Sequence, residues 1–264
     1  MFLIFIANYN NGGKNDKKLY NIEELNKLFL SINKMGFVES KFKGSGAAGK
    51  TFESLIGKRG DSKCLPDFKD IEIKTHINNV KYPITLFSCM PDTNEVNSNY
   101  MLINFVKNCG HYGINNKNIY FNSKIYVNNI CLSLNHFTKS YIDFKKQEII
   151  IDFVSYDLEL INKMAWPIKK IEKIIENKIK TLAIITVNRI QNEESTKFKY
   201  KSIEYYEYKG NKSFIESLKN RKIYISFNLN LQRINNKNKL KYHGISFVIN
   251  IENISSLYRK ILFW

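Results

Sequence analysis

Apolar and polar positions follow two rhythms along this chain. Ile22, Leu25, Leu28, Phe29, Ile32 and Met35 recur at helical spacing and predict an amphipathic helix. Asn21 stands where its cap belongs, Glu23 and Glu24 fall in its first turn, and Gly36 lies just past its end. Further on the period shortens to two: Ile71, Ile73 and Thr75 alternate with Glu72 and Lys74, as on a strand. Apolar runs at residues 1–7, 83–89 and 181–187 predict buried strands. Further strands are predicted at 119–127, 130–134, 148–154, 222–231 and 244–251. Short helices are predicted over 100–106 and from Pro167, where Ile168, Ile171, Ile174, Ile175 and Ile179 form an apolar stripe. Another ends at Asn220, behind a capping box of Ser213 and Glu216. Residues 232–242 read as a basic connection between the last two strands. Helices and strands interleave, so the fold class is α/β with a mixed sheet. Residues 110–118, within a Gly- and Asn-rich loop, offer a boundary between a lobe at 1–115 and a second at 116–264.

Charge narrows the choice of partner. The 264 residues carry 41 Lys and Arg against 24 Asp and Glu, a net +17. Codon bias in an AT-rich genome explains Lys and Asn but not the shortage of acids, so a polyanion, nucleic acid, is the expected partner. Cys64, Cys89, Cys109 and Cys131 are isolated, without a CxxC pair. That argues against structural zinc and a secreted disulfide framework, and for reduced thiols in a cytoplasmic protein. The run at 1–7 is too short to span a bilayer, and no other segment approaches membrane length.

The candidate chemistry lies between Gly44 and His76, GSGAAGKTFESLIGKRGDSKCLPDFKDIEIKTH. Glu72 and Lys74 share one face of a strand, about 7 Å apart. Asp67 follows Pro66 in a turn just ahead of that strand, so its carboxylate can converge on the same point. Two carboxylates can hold Mg²⁺, and a lysine can orient water and stabilise charge on a phosphate under attack. Three other ExK triplets, at Glu39, Glu176 and Glu207, have Lys34, Ile171 and Ser202 five residues earlier, none a metal ligand. Glu53, on a short helix pinned by Phe52, Leu55 and Ile56, adds a third carboxylate. The same stretch also satisfies a nucleotide-binding pattern, Gly44-x4-Gly49-Lys50-Thr51, with Ile149–Ile151 and Asp152 as a Walker B candidate. A P-loop ATPase acting on nucleic acid is therefore one alternative, and a non-catalytic DNA-binding protein another. Against the ATPase stand the charged residues ahead of Gly44 and the interruption of the helix by Gly57.

GKTFESLIG followed by PDFKDIEIKTH resembles the MvaI/BcnI family of type II restriction endonucleases and, more distantly, the MutH mismatch-repair nucleases. ITLF at 84–87, KTLAIITV at 180–187 and HGISFVIN at 243–250 have counterparts in the same order, so the resemblance spans about residues 37–264. It implies a monomer with a PD-(D/E)xK nuclease core and a second, DNA-recognition lobe. It also implies Mg²⁺, with Mn²⁺ able to substitute, and Glu53, Asp67, Glu72 and Lys74 at the catalytic positions, Asp67 and Glu72 on the metal. The implied substrate is double-stranded DNA cut at a short pseudo-palindromic site of CC-N-GG type, with a companion DNA methyltransferase in the host. Lys43, Lys50, His76, Arg233, Lys241, Tyr242 and His243 are the candidate DNA contacts. An arginine expected on the strand before the basic connection is absent from 223–231.

Overall fold

A computed structural model describes residues 12–58, 65–92, 98–114, 118–234 and 237–262. The strand expected at 1–7 and Cys64 lie outside the described residues. The first amphipathic stretch forms α1 (Gly12–Lys34). Ile22, Leu25, Phe29 and Ile32 are buried on one face, and Gly36 follows at φ +71°, the left-handed conformation that ends helices. The helix begins well before Asn21, so Asn21 does not cap it. Its buried side-chain amide donates instead to Asp70 Oδ1 at 2.7 Å, tying α1 to the turn ahead of the next strand.

Next come β1 (Val38–Glu39), α2 (Ala47–Leu55), β2 (Ile71–Ile77), β3 (Ile84–Ser88), α3 (Ser98–Cys109) and β4 (His111–Tyr112). They are followed by β5 (Asn118–Tyr126), β6 (Asn129–Leu132), β7 (His136–Asp143), β8 (Glu148–Ser155) and β9 (Leu160–Pro167). Then α4 (Ile168–Ile174) runs into a π-helical turn, Ile175–Ile179. The remaining elements are β10 (Thr181–Gln191), β11 (Thr196–Tyr208), α5 (Asn211–Lys219), β12 (Ile223–Ile234), β13 (Lys237–Ile249), α6 (Ile254–Leu257) and β14 (Tyr258–Ile261).

Contacts divide the chain into two compact units: Met1–Val80, Asn177–Glu207 and Lys260–Trp264 in one, Lys81–Glu176 and Tyr208–Arg259 in the other. The division is discontinuous, with breaks after 80, 176, 207 and 259, where the sequence pattern suggested a single break near 115. In the first unit the sheet runs β1–β11–β10–β2, with β14 also paired to β11. β10 is antiparallel to β11 and parallel to β2, with Glu72 opposite Leu182 and Lys74 opposite Ile184. α1 and α2 cover one face of this sheet, and their apolar side chains share a core with Ile71, Ile73, Ala183, Ile185 and Val187. β2 is left as an edge strand.

The second unit holds two sheets, β3–β13–β12–β5–β4 and β6–β7–β8–β9. Phe105 of α3, Phe121 of β5 and Phe153 of β8 meet with ring centroids 4.7–5.9 Å apart and join the two sheets to α3. The stretch expected to be a basic connection is mostly strand: β12 and β13 stay paired out to Arg233 opposite Asn238 and Ile234 opposite Lys237. The capping box at Ser213 also fails. Gly210, at φ +103°, precedes α5, and the Ser213 hydroxyl lies inside the helix, donating to the Gly210 carbonyl at 2.6 Å. Among the described residues, no helix is long and apolar enough to cross a membrane. Cys89, Cys109 and Cys131 are free thiols, and burial pushes Cys109 up to about 12, far from thiolate chemistry at neutral pH.

Candidate active site

Two alanines open α2, and Ala47, Ala48, Thr51 and Phe52 are its buried face. Phe52 is fully buried against Tyr200, with centroids 5.1 Å apart, and the Thr51 hydroxyl donates back to the Ala47 carbonyl. Anchored so, the helix turns Glu53 to its flank. Gly57, at φ +80°, then stops it. The Gly57 N–H bonds the Ser54 carbonyl and the Lys58 N–H bonds the Glu53 carbonyl at 2.9 Å, a Schellman closure. This closure fixes the backbone of Lys58 beside Glu53, and the ammonium reaches Asp67 Oδ1 at 2.5 Å.

Asp67 reaches the strand by a backbone route. Phe68 and Ile71 exchange hydrogen bonds across a tight turn in which Lys69 sits at φ +53°. The turn folds Asp67 back along the open edge of β2, where Oδ2 accepts the N–H of Ile73 at 3.0 Å. Ile73 lies between Glu72 and Lys74, so the Asp67 carboxylate is held beside both. The Lys74 ammonium donates to Glu72 Oε1 at 2.7 Å. Lys178, from the π-helical turn, stands 3.6 Å from the same oxygen. π turns of this kind often mark functional sites.

The charges are crowded. Burial raises the Glu72 carboxyl above the ordinary range, with Lys74 opposing and Asp67 adding to the shift. Glu53 is raised first by burial and then by Asp67, against Lys58, Lys74 and Lys50. The Glu72 side chain is only 2 % exposed, and its Oε2 is buried with no hydrogen-bond partner. Two carboxylates raised in part by a third, with an orphaned oxygen among them, suit a hard divalent cation, and Asp67 and Glu72 could supply its oxygen ligands. Among the described residues no group of three or more His, Cys, Asp or Glu forms a complete cage.

The structure thus brings Glu53, Asp67, Glu72 and Lys74 together and adds Lys58 and Lys178, which sequence reasoning missed. Lys58 had a signal, the glycine stop just before it. Lys178 had none, because only the β2–β10 pairing brings it near Glu72. His76 continues the Glu72–Lys74 face of β2, and burial lowers its pKa. Lys50 is exposed one helical turn before Glu53. Lys43 lines a separate cleft of about 440 Å³ with Gly44, Arg189 and Glu193. Arg233, Tyr242 and His243 lie on β12 and β13, with side chains outside the described residues; Lys241 is exposed on β13. The nucleotide-loop pattern does not have its architecture. The preceding strand, β1, is two residues long and antiparallel to its partner. Residues 47–51 are already helical, so they form no loop around a phosphate.

A mixed-sheet core whose edge strand carries Glu72 and Lys74, with the Asp67 carboxylate bonded to that edge, has the arrangement expected of an endonuclease. The chain matches the model of the MvaI/BcnI restriction endonuclease family over residues 25–258 and belongs to that family. Among solved structures it is similar to the restriction endonuclease MvaI–cognate DNA substrate complex. That match has 26% identity and a TM-score of 0.79, covering 91% of this chain and 97% of the other. It shares its fold with the restriction endonuclease MvaI in the absence of DNA, at 21% identity and a TM-score of 0.55, covering 97% and 99%. No curated protein matches it.

Proposed function

We propose that the chain hydrolyses phosphodiester bonds in double-stranded DNA at a short pseudo-palindromic site, using Mg²⁺, with Mn²⁺ able to substitute. The observation that carries this is the Asp67–Ile73 hydrogen bond, which seats one carboxylate beside Glu72 and Lys74 on a single strand edge. Asp67 and Glu72 would hold the ion. When bound, it supplies positive charge at the scissile phosphate. Lys74, anchored on Glu72, presents its ammonium to the attacking water and to charge building on the phosphate. Lys58 restrains Asp67, and Glu53 adds a third carboxylate at the flank. Duplex DNA as the substrate is supported by the likeness to a cognate DNA complex and by the net charge of +17. The resemblance to the family implies a site of CC-N-GG type, a catalytic lobe paired with a recognition lobe, a monomer, and a companion methyltransferase that protects the host. The free thiols are in keeping with the cytoplasm.

The test is plasmid cleavage by purified protein with Mg²⁺. Wild type is expected to give discrete bands that Glu72→Ala and Lys74→Ala abolish. Cutting at wild-type rate in both variants would overturn the site assignment, and salt-dependent DNA retention with no cutting under any divalent metal would leave a DNA-binding protein only.

A further inference from the structure

One face of the sheet β3–β13–β12–β5–β4 carries amides. Directly opposed residues on antiparallel strands share a face, and the register sets Asn228 against Asn122 and Gln232 against Asn118. Across the other side of β12, Asn230 pairs with Lys241 and Gln232 with Lys239. The alternate positions Phe227, Leu229 and Leu231 are buried, so this is the polar side of a half-buried sheet. Asn122, Asn228, Lys239 and Lys241 are exposed. Asn230 Oδ1 is buried and accepts no hydrogen bond from any described residue. Leaving an acceptor unmet is costly, and because the atom is out of solvent's reach the Asn230 side chain must turn outward to meet a ligand's donor, which removes the cost.

We infer that this amide face reads A·T base pairs in the major groove of the target DNA. The inference rests on the endonuclease reading above. A carboxamide offers one acceptor and one donor side by side, and adenine presents the complement, the N6 amino donor and the N7 acceptor. Guanine presents two acceptors there and is met by arginine or lysine instead. Asn228, Asn230 and Gln232 are two residues apart, about 7 Å from one to the next, or roughly two base-pair rises. The three amides therefore address about five base pairs. A two-stranded ribbon such as β12–β13 is of the size the major groove admits, and Lys239 and Lys241 alongside supply phosphate contacts. The target then specifies A·T pairs, in departure from a site specified by G·C pairs alone.

The test is to sequence the ends of fragments cut from a known genome by the full chain with Mg²⁺. Fluorescence anisotropy then measures binding to the target duplex and to duplexes carrying 7-deazaadenine at one specified A·T pair at a time. A target with specified A·T pairs is expected. At least one 7-deaza substitution should weaken binding about 5- to 150-fold, and exposed-site Asn228→Ala should relax the preference at one position. Discrete cutting at a site specified only by G·C pairs, or 7-deaza duplexes and Asn228→Ala that all match the unmodified pair, overturns the inference and leaves the endonuclease standing. Absence of discrete cutting by the wild type removes both.

Discussion

Two polar surfaces of this molecule are built on opposite rules. Along the open edge of β2 nearly every charged group is tied to another: Lys74 to Glu72, Lys58 to Asp67, and Asp67 to the backbone of Ile73. On the amide face of β12, Asn230 keeps an unmet acceptor while Asn122 and Asn228 stand exposed. Chemistry on a phosphate needs charges already in place, so that none is reorganised as the reaction proceeds. Recognition needs donors and acceptors still to be spent, because a group satisfied within the protein has nothing to offer a base. Glu72 Oε2 apart, tied and untied polar groups thus separate the proposed reacting site from the proposed reading site.

The sharpest break in this contrast is Asp67→Ala, which removes a proposed metal ligand and the acceptor for Ile73 together. Cleavage in a single-turnover assay should fall by about three orders of magnitude. Lys58→Met strikes the tied surface without replacing a proposed ligand, though it frees Asp67 from its partner. The Lys58–Asp67 pair is partly buried, at 18% and 13% side-chain exposure, so the loss of denaturation free energy should be about 1–2 kcal/mol, below that of a fully buried pair. Added Mg²⁺ should restore more stability to this variant than to wild type. Lys178→Met should slow cleavage about fivefold, with Lys178→Arg close to wild type; equal damage from both would make the π-helical turn merely structural.

Proton linkage is a gentler probe. Glu53 and Glu72 are both held above the ordinary carboxylate range, in each case chiefly by burial. Between the ordinary and the raised values the folded state keeps protons that the unfolded chain has released. The metal-free protein should therefore gain stability as pH falls through that interval and lose it as pH rises. Glu72→Gln should flatten the slope, measured by urea denaturation in EDTA. The smallest effect expected is that of Gly49→Ala. An added Cβ would sit 3.6 Å from Thr75 Oγ1 and 3.7 Å from Glu53 Oε1, ordinary contact distances. Cleavage should be retained, and the helix should gain about 0.5–1 kcal/mol, whereas a nucleotide loop would not tolerate the change.

The sequence made α1, β2, β10 and the Asp67–Glu72–Lys74 order legible, because there the alternation and the burial agree. It hid β7, whose buried positions are His136, Thr138, Ser140 and Ile142 while Phe137 and Tyr141 are only partly covered. Read by hydropathy, that strand faces the wrong way. It hid β11 because the register shifts near Thr186 and Val187, which puts the partners Tyr200 and Ser202 out of step. Lys178 was hidden because no local spacing records a parallel strand pairing. The discontinuous units escaped for the same reason: segments far apart in sequence complete one sheet.

The hydrogen bond from Ile73 to Asp67 has a consequence for how copies of this protein treat one another. An edge strand offers its outward amides and carbonyls to any passing strand, and exposed edges are where sheets zip into aggregates. On β2 the Phe68–Ile71 turn covers the first amide and Asp67 takes the one at Ile73, while Glu72 and Lys74 place charge alongside. The carboxylate proposed to hold the metal is also a stopper on the sheet, so Asp67 variants should be watched for self-association as well as for lost cleavage.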